Sequence, residues 1–104
     1  METTGDLDRQ DLLARLRALA PVLRGKGVTS AYLFGSRARG DAGSESDIDL
    51  VVDGDPTRGF THLDIAGVSE AVGSAVALRA HAVLARTAKT AFRTRIADDL
   101  IEIF

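Results

Sequence analysis

Two aspartates separated by a single residue have the most chemically suggestive spacing in the chain. Asp47 and Asp49 open the segment 47–53, whose alternating apolar residues predict a strand. Residues two apart on a strand point to the same face, with Cα atoms roughly 6–7 Å apart. Two such carboxylates can bind one hard cation, and Mg²⁺ suits one or two protein carboxylates supplemented by phosphate oxygens. The same pair also fits a strand face that simply points into solvent, so the surrounding residues must decide.

The dipeptide Gly35-Ser36 directly follows an apolar segment, 28–34, that also predicts a strand. Glycine lets a phosphate approach the backbone, and Ser36 adds a hydroxyl and an N–H group. If a helical turn begins there, its free N–H groups point at the anion. Arg39 could bind phosphate through its planar guanidinium.

A phosphate-binding turn followed ten residues later by a carboxylate pair predicts metal-dependent phosphoryl or nucleotidyl transfer. In this interpretation Asp47 and Asp49 are the catalytic, metal-binding residues. Nucleotide binding falls to Gly35, Ser36 and Arg39.

The segment 32–53, YLFGSRARGDAGSESDIDLVVD, resembles the signature of the minimal nucleotidyltransferases of the DNA polymerase beta superfamily. That signature is Gly-Ser, about ten residues, then Asp-x-Asp. The resemblance implies that the Gly-Ser turn holds the phosphates of ATP and that carboxylates hold one or two Mg²⁺ ions. A hydroxyl then attacks the α-phosphorus and pyrophosphate leaves. Many stand-alone bacterial members are antitoxins of HEPN-domain toxins, and some transfer AMP to their toxin, so the resemblance implies a HEPN-domain partner.

The chain departs from the family at a third carboxylate. The resemblance places this acid on the strand after the next helix, typically as Val-Asp-Leu-Val, and the matching stretch here is 76–79, with Ala77 at the acid position. We expect binding of Mg-ATP to be retained and transfer to be impaired. The alternative is a non-catalytic module that binds nucleotide and neutralises a HEPN-domain toxin by forming a complex.

Helices and strands follow from apolar periodicity and turn residues. A helix is predicted over 8–24 from Leu12, Leu16, Leu19 and Leu23, with Pro21 kinking it or starting a second short helix. The remaining elements are a turn at 35–46 holding one helical turn, a helix over 61–72 with Thr61 as N-cap and Gly73 as its end, a short third strand at 76–78, and a final helix over 88–104. The predicted fold class is α/β (α+β): a small mixed sheet flanked by helices, as in the polymerase-beta-like nucleotidyltransferase fold.

Size and composition limit the remaining possibilities. The 104 residues fit one domain, with residues 1–6 as a loose end. A net charge of −2 argues against a dedicated nucleic-acid binder. No apolar segment reaches the ~18 residues of a membrane span, and the polar N-terminus does not resemble a signal peptide, so we expect a cytoplasmic location. Residues 79–95 carry five basic side chains and no acid, which fits either a solvated face or a docking surface for an acidic partner or phosphates.

Overall fold

The structure, a computed structural model, describes residues 8–43 and 46–104. Its helices are α1 (Arg9–Ala18), α2 (Ala20–Gly25), α3 (Ser36–Arg39), α4 (His62–Val76) and α5 (Thr90–Ile96). Its strands are β1 (Val28–Phe34), β2 (Ile48–Gly54), β3 (Ala80–Leu84) and β4 (Ile101–Glu102). The predicted loose end at 1–6 and positions 44 and 45 of the predicted turn lie outside the described residues.

The four strands form one mixed sheet in the order β3-β2-β1-β4. β1 is antiparallel to both β2 and β4, whereas β2 and β3 are parallel. A small mixed sheet flanked by helices is the predicted fold class, which is therefore confirmed.

One face of the sheet forms the main core with α1, α2 and α4. Side chains alternate along each strand, so Leu33 and Leu50 point into this core, and the helices add Leu12, Leu16 and Val68. The opposite face carries Asp49 and a smaller apolar cluster beneath α5, made of Phe34, Val51 and Ile96. None of the described helices is long and apolar enough to cross a membrane.

The predicted N-terminal helix is two helices. α1 ends at Ala18, and α2 begins at Ala20 with Pro21 in its first turn, where the missing N–H of proline removes no hydrogen bond. Of the two outcomes expected for Pro21, the start of a second short helix is confirmed. Leu12, Leu16 and Leu23 stay on one buried side across the break.

α4 begins as predicted but continues past its predicted end. The Thr61 hydroxyl accepts the N–H of Leu63, and Asp64 accepts the N–H of Thr61, which completes a capping box. The helix then runs through Gly73 to Val76. Gly73 does not end the helix; a Cβ there would lie 3.0 Å from the carbonyl oxygen of Leu78, so glycine lets the following chain fold back across α4.

The prediction of a third strand at 76–78 is wrong. Val76 is the last residue of α4, and Ala77 has left-handed backbone angles (φ 58°, ψ 33°) at the end of that helix. The third strand, β3, begins at Ala80, within a stretch for which the sequence predicts no element. Alanine is uncommon in the left-handed region, so the local sequence does not predict a turn at this position.

The predicted final helix over 88–104 is also wrong beyond Ile96. α5 ends there, a single 3₁₀ turn covers Ala97–Asp99, and β4 follows. The N–H of Ile103 donates to the carbonyl oxygen of Ala31 at 2.8 Å, and the N–H of Ala31 donates to Phe104 at 3.0 Å. Pairing with the otherwise open edge of β1 decides the structure here, although Leu100 and Ile103 continue a helical spacing.

Candidate functional site

The turn at Gly35 packs directly against the carboxylate of Asp49. Gly35 has φ 80° and ψ −160°, a backbone region that is essentially restricted to glycine. A Cβ at this position would lie 2.7 Å from Oδ2 of Asp49. The strand pairing causes this approach, because Phe34, which precedes the turn, pairs with Asp49. Position 35 therefore requires glycine for its conformation and for its distance from the acid.

Ser36 begins α3, which is a single helical turn. The N–H groups of Ala38 and Arg39 both donate to the carbonyl oxygen of Gly35 at 3.0 Å. Gly40 ends the turn in the left-handed region (φ 86°), and its N–H donates to the carbonyl oxygen of Ser36. The helical turn predicted within 35–46 is thus confirmed. It holds the half-buried Ser36 directly after Gly35, which packs against Asp49.

Asp49 is a half-buried acid with another acid nearby. Burial raises the pKa of its carboxyl group above the ordinary value, and the negative charge of Asp47 acts in the same direction. The charges of His81 and Arg39 oppose this rise. Asp47 directly precedes β2 and Asp49 is its second residue, so the two predicted metal ligands are two positions apart in the chain.

The two carboxylates fit a divalent cation in charge and in donor chemistry. A hard cation prefers oxygen ligands, and its charge would offset the repulsion that Asp49 experiences from Asp47. Across residues 8–43 and 46–104, no group of three or more His, Cys, Asp or Glu side chains is gathered to hold a metal. Asp47 and Asp49 would therefore hold the cation together with phosphate oxygens or water.

β3 brings basic side chains to this carboxylate pair. Nε of Arg79, the residue before β3, lies 3.0 Å from Oδ1 of Asp47. His81 pairs with Asp49 in the parallel register, so their side chains lie on the same face of neighbouring strands. Each acid thus has a basic neighbour from the same segment of chain.

The alignment that put Ala77 at the third carboxylate position is wrong. Ala77 belongs to the end of α4 and precedes β3 by three residues. The residue beside Asp49 on the neighbouring strand is His81. The position that the resemblance assigns to an acid is therefore still not acidic, but it holds an imidazole next to Asp49.

Arg39 lies near the acids but is held by two other carboxylates. Its Nε lies 3.2 Å from Oδ2 of Asp41 and its Nη1 lies 2.9 Å from Oδ2 of Asp99. Its charge nevertheless lowers the pKa of Asp49, so the guanidinium is within electrostatic range of the site. A phosphate-binding role for Arg39 remains a prediction, and it would require exchange with these acids.

Arg37 has a positioning role that the sequence does not reveal. Only 3% of the residue is exposed, and its guanidinium donates to the carbonyl oxygens of Ser46 at 3.0 Å and Gly43 at 3.2 Å. Ser46 directly precedes Asp47. Arg37 therefore ties α3 to the start of the segment that carries both acids. The sequence shows only a cation beside the turn, because burial of one particular arginine depends on the surrounding fold.

Several known proteins are similar to this chain. The family model of the nucleotidyltransferase domain matches residues 13–103. A structure assigned as a minimal nucleotidyltransferase is 30% identical, has a TM-score of 0.78, and is matched over 94% of this chain and 98% of that chain. No curated protein matches the sequence at a significant level.

Two toxin–antitoxin structures have the same fold at lower identity. A toxin–antitoxin with AMP-PNP is 22% identical, with a TM-score of 0.67 over 94% of this chain and 73% of that chain. An MNT antitoxin in complex with a tri-AMPylated HEPN toxin from Shewanella oneidensis is 19% identical, with a TM-score of 0.66 over 89% of this chain and 71% of that chain. The chain thus belongs to the nucleotidyltransferase domain family and has the fold of the minimal nucleotidyltransferases.

Proposed function

We propose that this domain binds ATP with Mg²⁺ at the Gly35 turn and the Asp47–Asp49 pair, and transfers AMP to a hydroxyl group of a partner protein. The observation that carries the proposal is the contact between Gly35 and Asp49. This contact joins two features into one site: a turn suited to phosphate, and a pair of carboxylates suited to a divalent cation. Phosphates and cation are the two components that nucleotidyl transfer must bind together.

Each residue has a definite task in this proposal. Gly35 lets the turn lie directly against the Asp49 carboxylate. Ser36 offers its hydroxyl and N–H to the phosphates. Asp47 and Asp49 hold the cation, which neutralises charge on the triphosphate. The acceptor oxygen forms a bond to the α-phosphorus while the bond from that phosphorus to the bridging oxygen breaks. Pyrophosphate leaves, and the proton of the acceptor hydroxyl passes to water.

The proposed acceptor belongs to a HEPN-domain toxin. Support comes from the two toxin–antitoxin structures of similar fold, one of which contains a tri-AMPylated HEPN toxin. In this chain a groove of about 460 Å³ adjoins His81 and is walled by Ile65 and Phe92. In this proposal the acceptor side chain approaches the two acids along this groove.

We also propose that this chain retains binding of ATP but transfers AMP inefficiently. The residues that β3 places beside the two acids are Arg79 and His81, neither of which is acidic. A second cation, which would lower the pKa of the acceptor hydroxyl, would therefore be held weakly. The same observation favours the second candidate function, a non-catalytic module that binds nucleotide and neutralises its toxin through complex formation.

Titration calorimetry of ATP into the purified protein tests the nucleotide site. We expect binding in the presence of Mg²⁺ and little binding with EDTA or in Asp49→Asn. Asp11→Asn removes one negative charge from the exposed side of α1 and serves as the matched control, with unchanged affinity. Equal ATP affinity with Mg²⁺ and with EDTA would contradict the proposed site.

The resemblance implies a HEPN-domain partner, so the products of neighbouring genes are the candidates to test. Incubation of the two purified proteins with labelled ATP measures transfer to the candidate, and their co-expression measures neutralisation. The enzyme proposal expects label from [α-³²P]ATP on that protein, and loss of both label and neutralisation in Asp47→Asn. The binding-module alternative expects no label and full neutralisation by Asp47→Asn. A wild-type protein that neither labels nor neutralises the candidate would exclude both functions for this pair.

A further inference from the structure

Arg79 is held by one weak, exposed contact at the edge of the site. Its Nε lies 3.0 Å from Oδ1 of Asp47, and 81% of its side chain is exposed. Among the described residues, its guanidinium makes no second hydrogen bond or ion pair. Its backbone is fixed, because the N–H of Ile48 donates to the carbonyl oxygen of Arg79 at 2.8 Å. The guanidinium can therefore change partner without leaving the neighbourhood of the two acids.

Arg39, near the two acids, and Arg86, at the far end of β2, are each held by more than one contact. Arg86 donates to a side-chain oxygen of Asp53 at 3.0 Å and also to the carbonyl oxygens of Gly54 and Phe60. Arg39 bridges two acids. Exposed ion pairs are weak, so the Arg79–Asp47 pair is the one that a ligand at the site can displace most easily.

A divalent cation and the guanidinium compete for the same carboxylate. A cation bound by Asp47 takes oxygen lone pairs that Arg79 uses in the free protein, and the two positive charges repel each other. A cation that arrives with a nucleotide also brings phosphate oxygens. The planar guanidinium is well suited to bind these oxygens. It already contacts Asp47, the residue that would share the cation with them.

We propose that Arg79 is a triphosphate-binding residue that exchanges partners: it pairs with Asp47 in the free protein and with phosphate oxygens when cation and nucleotide bind. This inference rests on the proposed function of the site. It assigns Arg79 two effects of opposite sign, because the arginine opposes binding of the cation alone and favours binding of the cation with nucleotide.

The test measures the affinities of wild type and Arg79→Gln for Mn²⁺ alone and for Mn-ATP. Electron paramagnetic resonance of free Mn²⁺ gives the first affinity, and calorimetry gives the second. Arg79→Gln should bind Mn²⁺ alone about two- to fivefold more tightly, as expected for loss of one exposed competing ion pair. It should bind Mn-ATP about threefold or more weakly, as expected for loss of one exposed phosphate contact. Arg95→Gln, which removes a charge stacked over Phe92 on α5, should change neither affinity.

Opposite shifts in the two affinities support the exchange, since a purely structural role would move both in one direction. Shifts of the same sign, or no shift, overturn the exchange and leave the proposed function intact as long as wild type binds Mn-ATP. Absence of Mn-ATP binding in wild type overturns the exchange together with the proposed function.

Discussion

Gly35 and Asp49 approach so closely that a Cβ at position 35 would lie 2.7 Å from Oδ2 of the aspartate. The two residues come from different strands of an antiparallel pair, and their contact depends on the pairing of Phe34 with Asp49. The Gly-Ser turn and the Asp-x-Asp pair are separate in sequence, but the sheet makes them one site. Substitution of either Gly35 or Asp49 should therefore affect both the Gly-Ser turn and the carboxylate pair.

Gly35→Ala should cost both stability and ligand binding. Alanine is strained at φ 80° and ψ −160°, and its Cβ would push the Asp49 carboxylate out of place. We expect a loss of about 1–3 kcal/mol in the free energy of unfolding, measured by urea denaturation, and loss of Mg-ATP binding by calorimetry.

The matched control for that substitution is Gly25→Ala at the end of α2. A Cβ at Gly25 has no neighbouring atom within 4 Å. The free energy of unfolding should change by less than about 1 kcal/mol, with unchanged Mg-ATP affinity. An equal effect of the two substitutions would show that loss of glycine flexibility, rather than the contact with Asp49, is responsible.

His81→Asp should strengthen cation binding and raise the rate of AMP transfer. The new carboxylate would lie on the same face as Asp49, on the neighbouring strand, where a third oxygen ligand is useful. We expect Mn²⁺ affinity to rise about tenfold. Ala77→Asp, at the end of α4, is the control and should leave Mn²⁺ affinity unchanged. Tighter binding in the Ala77 variant alone would show that the family alignment, and not the strand register, identifies the position.

Arg37→Met should destabilise the protein and weaken the site. The methionine retains an apolar stem but leaves the carbonyl oxygens of Ser46 and Gly43 without their buried donor. We expect a loss of about 2–3 kcal/mol in the free energy of unfolding and reduced Mg-ATP affinity. Arg15→Met on the exposed side of α1 should change stability by about 0.5 kcal/mol or less. Full stability of Arg37→Met would contradict the positioning role.

Asp49→Asn should stabilise the cation-free protein at neutral pH. Burial and the charge of Asp47 raise the pKa of Asp49 in the folded state, so its ionised form costs stability above that pKa. As the pH falls through the folded pKa towards the ordinary value of 3.8, the wild-type acid becomes protonated and the advantage of asparagine should disappear. Urea denaturation in EDTA, from neutral pH down to about pH 4, measures this difference. A less stable Asp49→Asn at neutral pH would contradict the interpretation.

The sequence predicts the first half of the fold well because local rules apply there. An apolar segment predicts β1, apolar alternation predicts β2, and Pro21 marks the first turn of a second helix. Thr61 starts α4 through a capping box that its own neighbours complete. In each case the deciding interactions lie within a few residues of one another, where spacing is informative.

Prediction of the later elements fails where distant pairing decides. Ala77 adopts a left-handed conformation because the chain must cross α4 and enter β3 parallel to β2. Residues 101–102 form a strand because β1 offers an open edge, although Leu100 and Ile103 continue the spacing of a helix. Parallel pairing and edge pairing join segments far apart in the chain, so no local pattern reports them.

The sequence by itself determines which residues belong to the candidate site: glycine and serine at a turn, then two acids at a strand-like spacing, in the order typical of nucleotidyltransferases. The tertiary structure decides their neighbours. Strand register puts His81 beside Asp49, and the position of β3 brings Arg79 to Asp47. The buried Arg37 donates to the carbonyl oxygens of Ser46 and Gly43, which precede the two acids in the chain. Residue types and spacing are properties of a short segment, whereas burial and contacts between strands exist only once the whole sheet has formed.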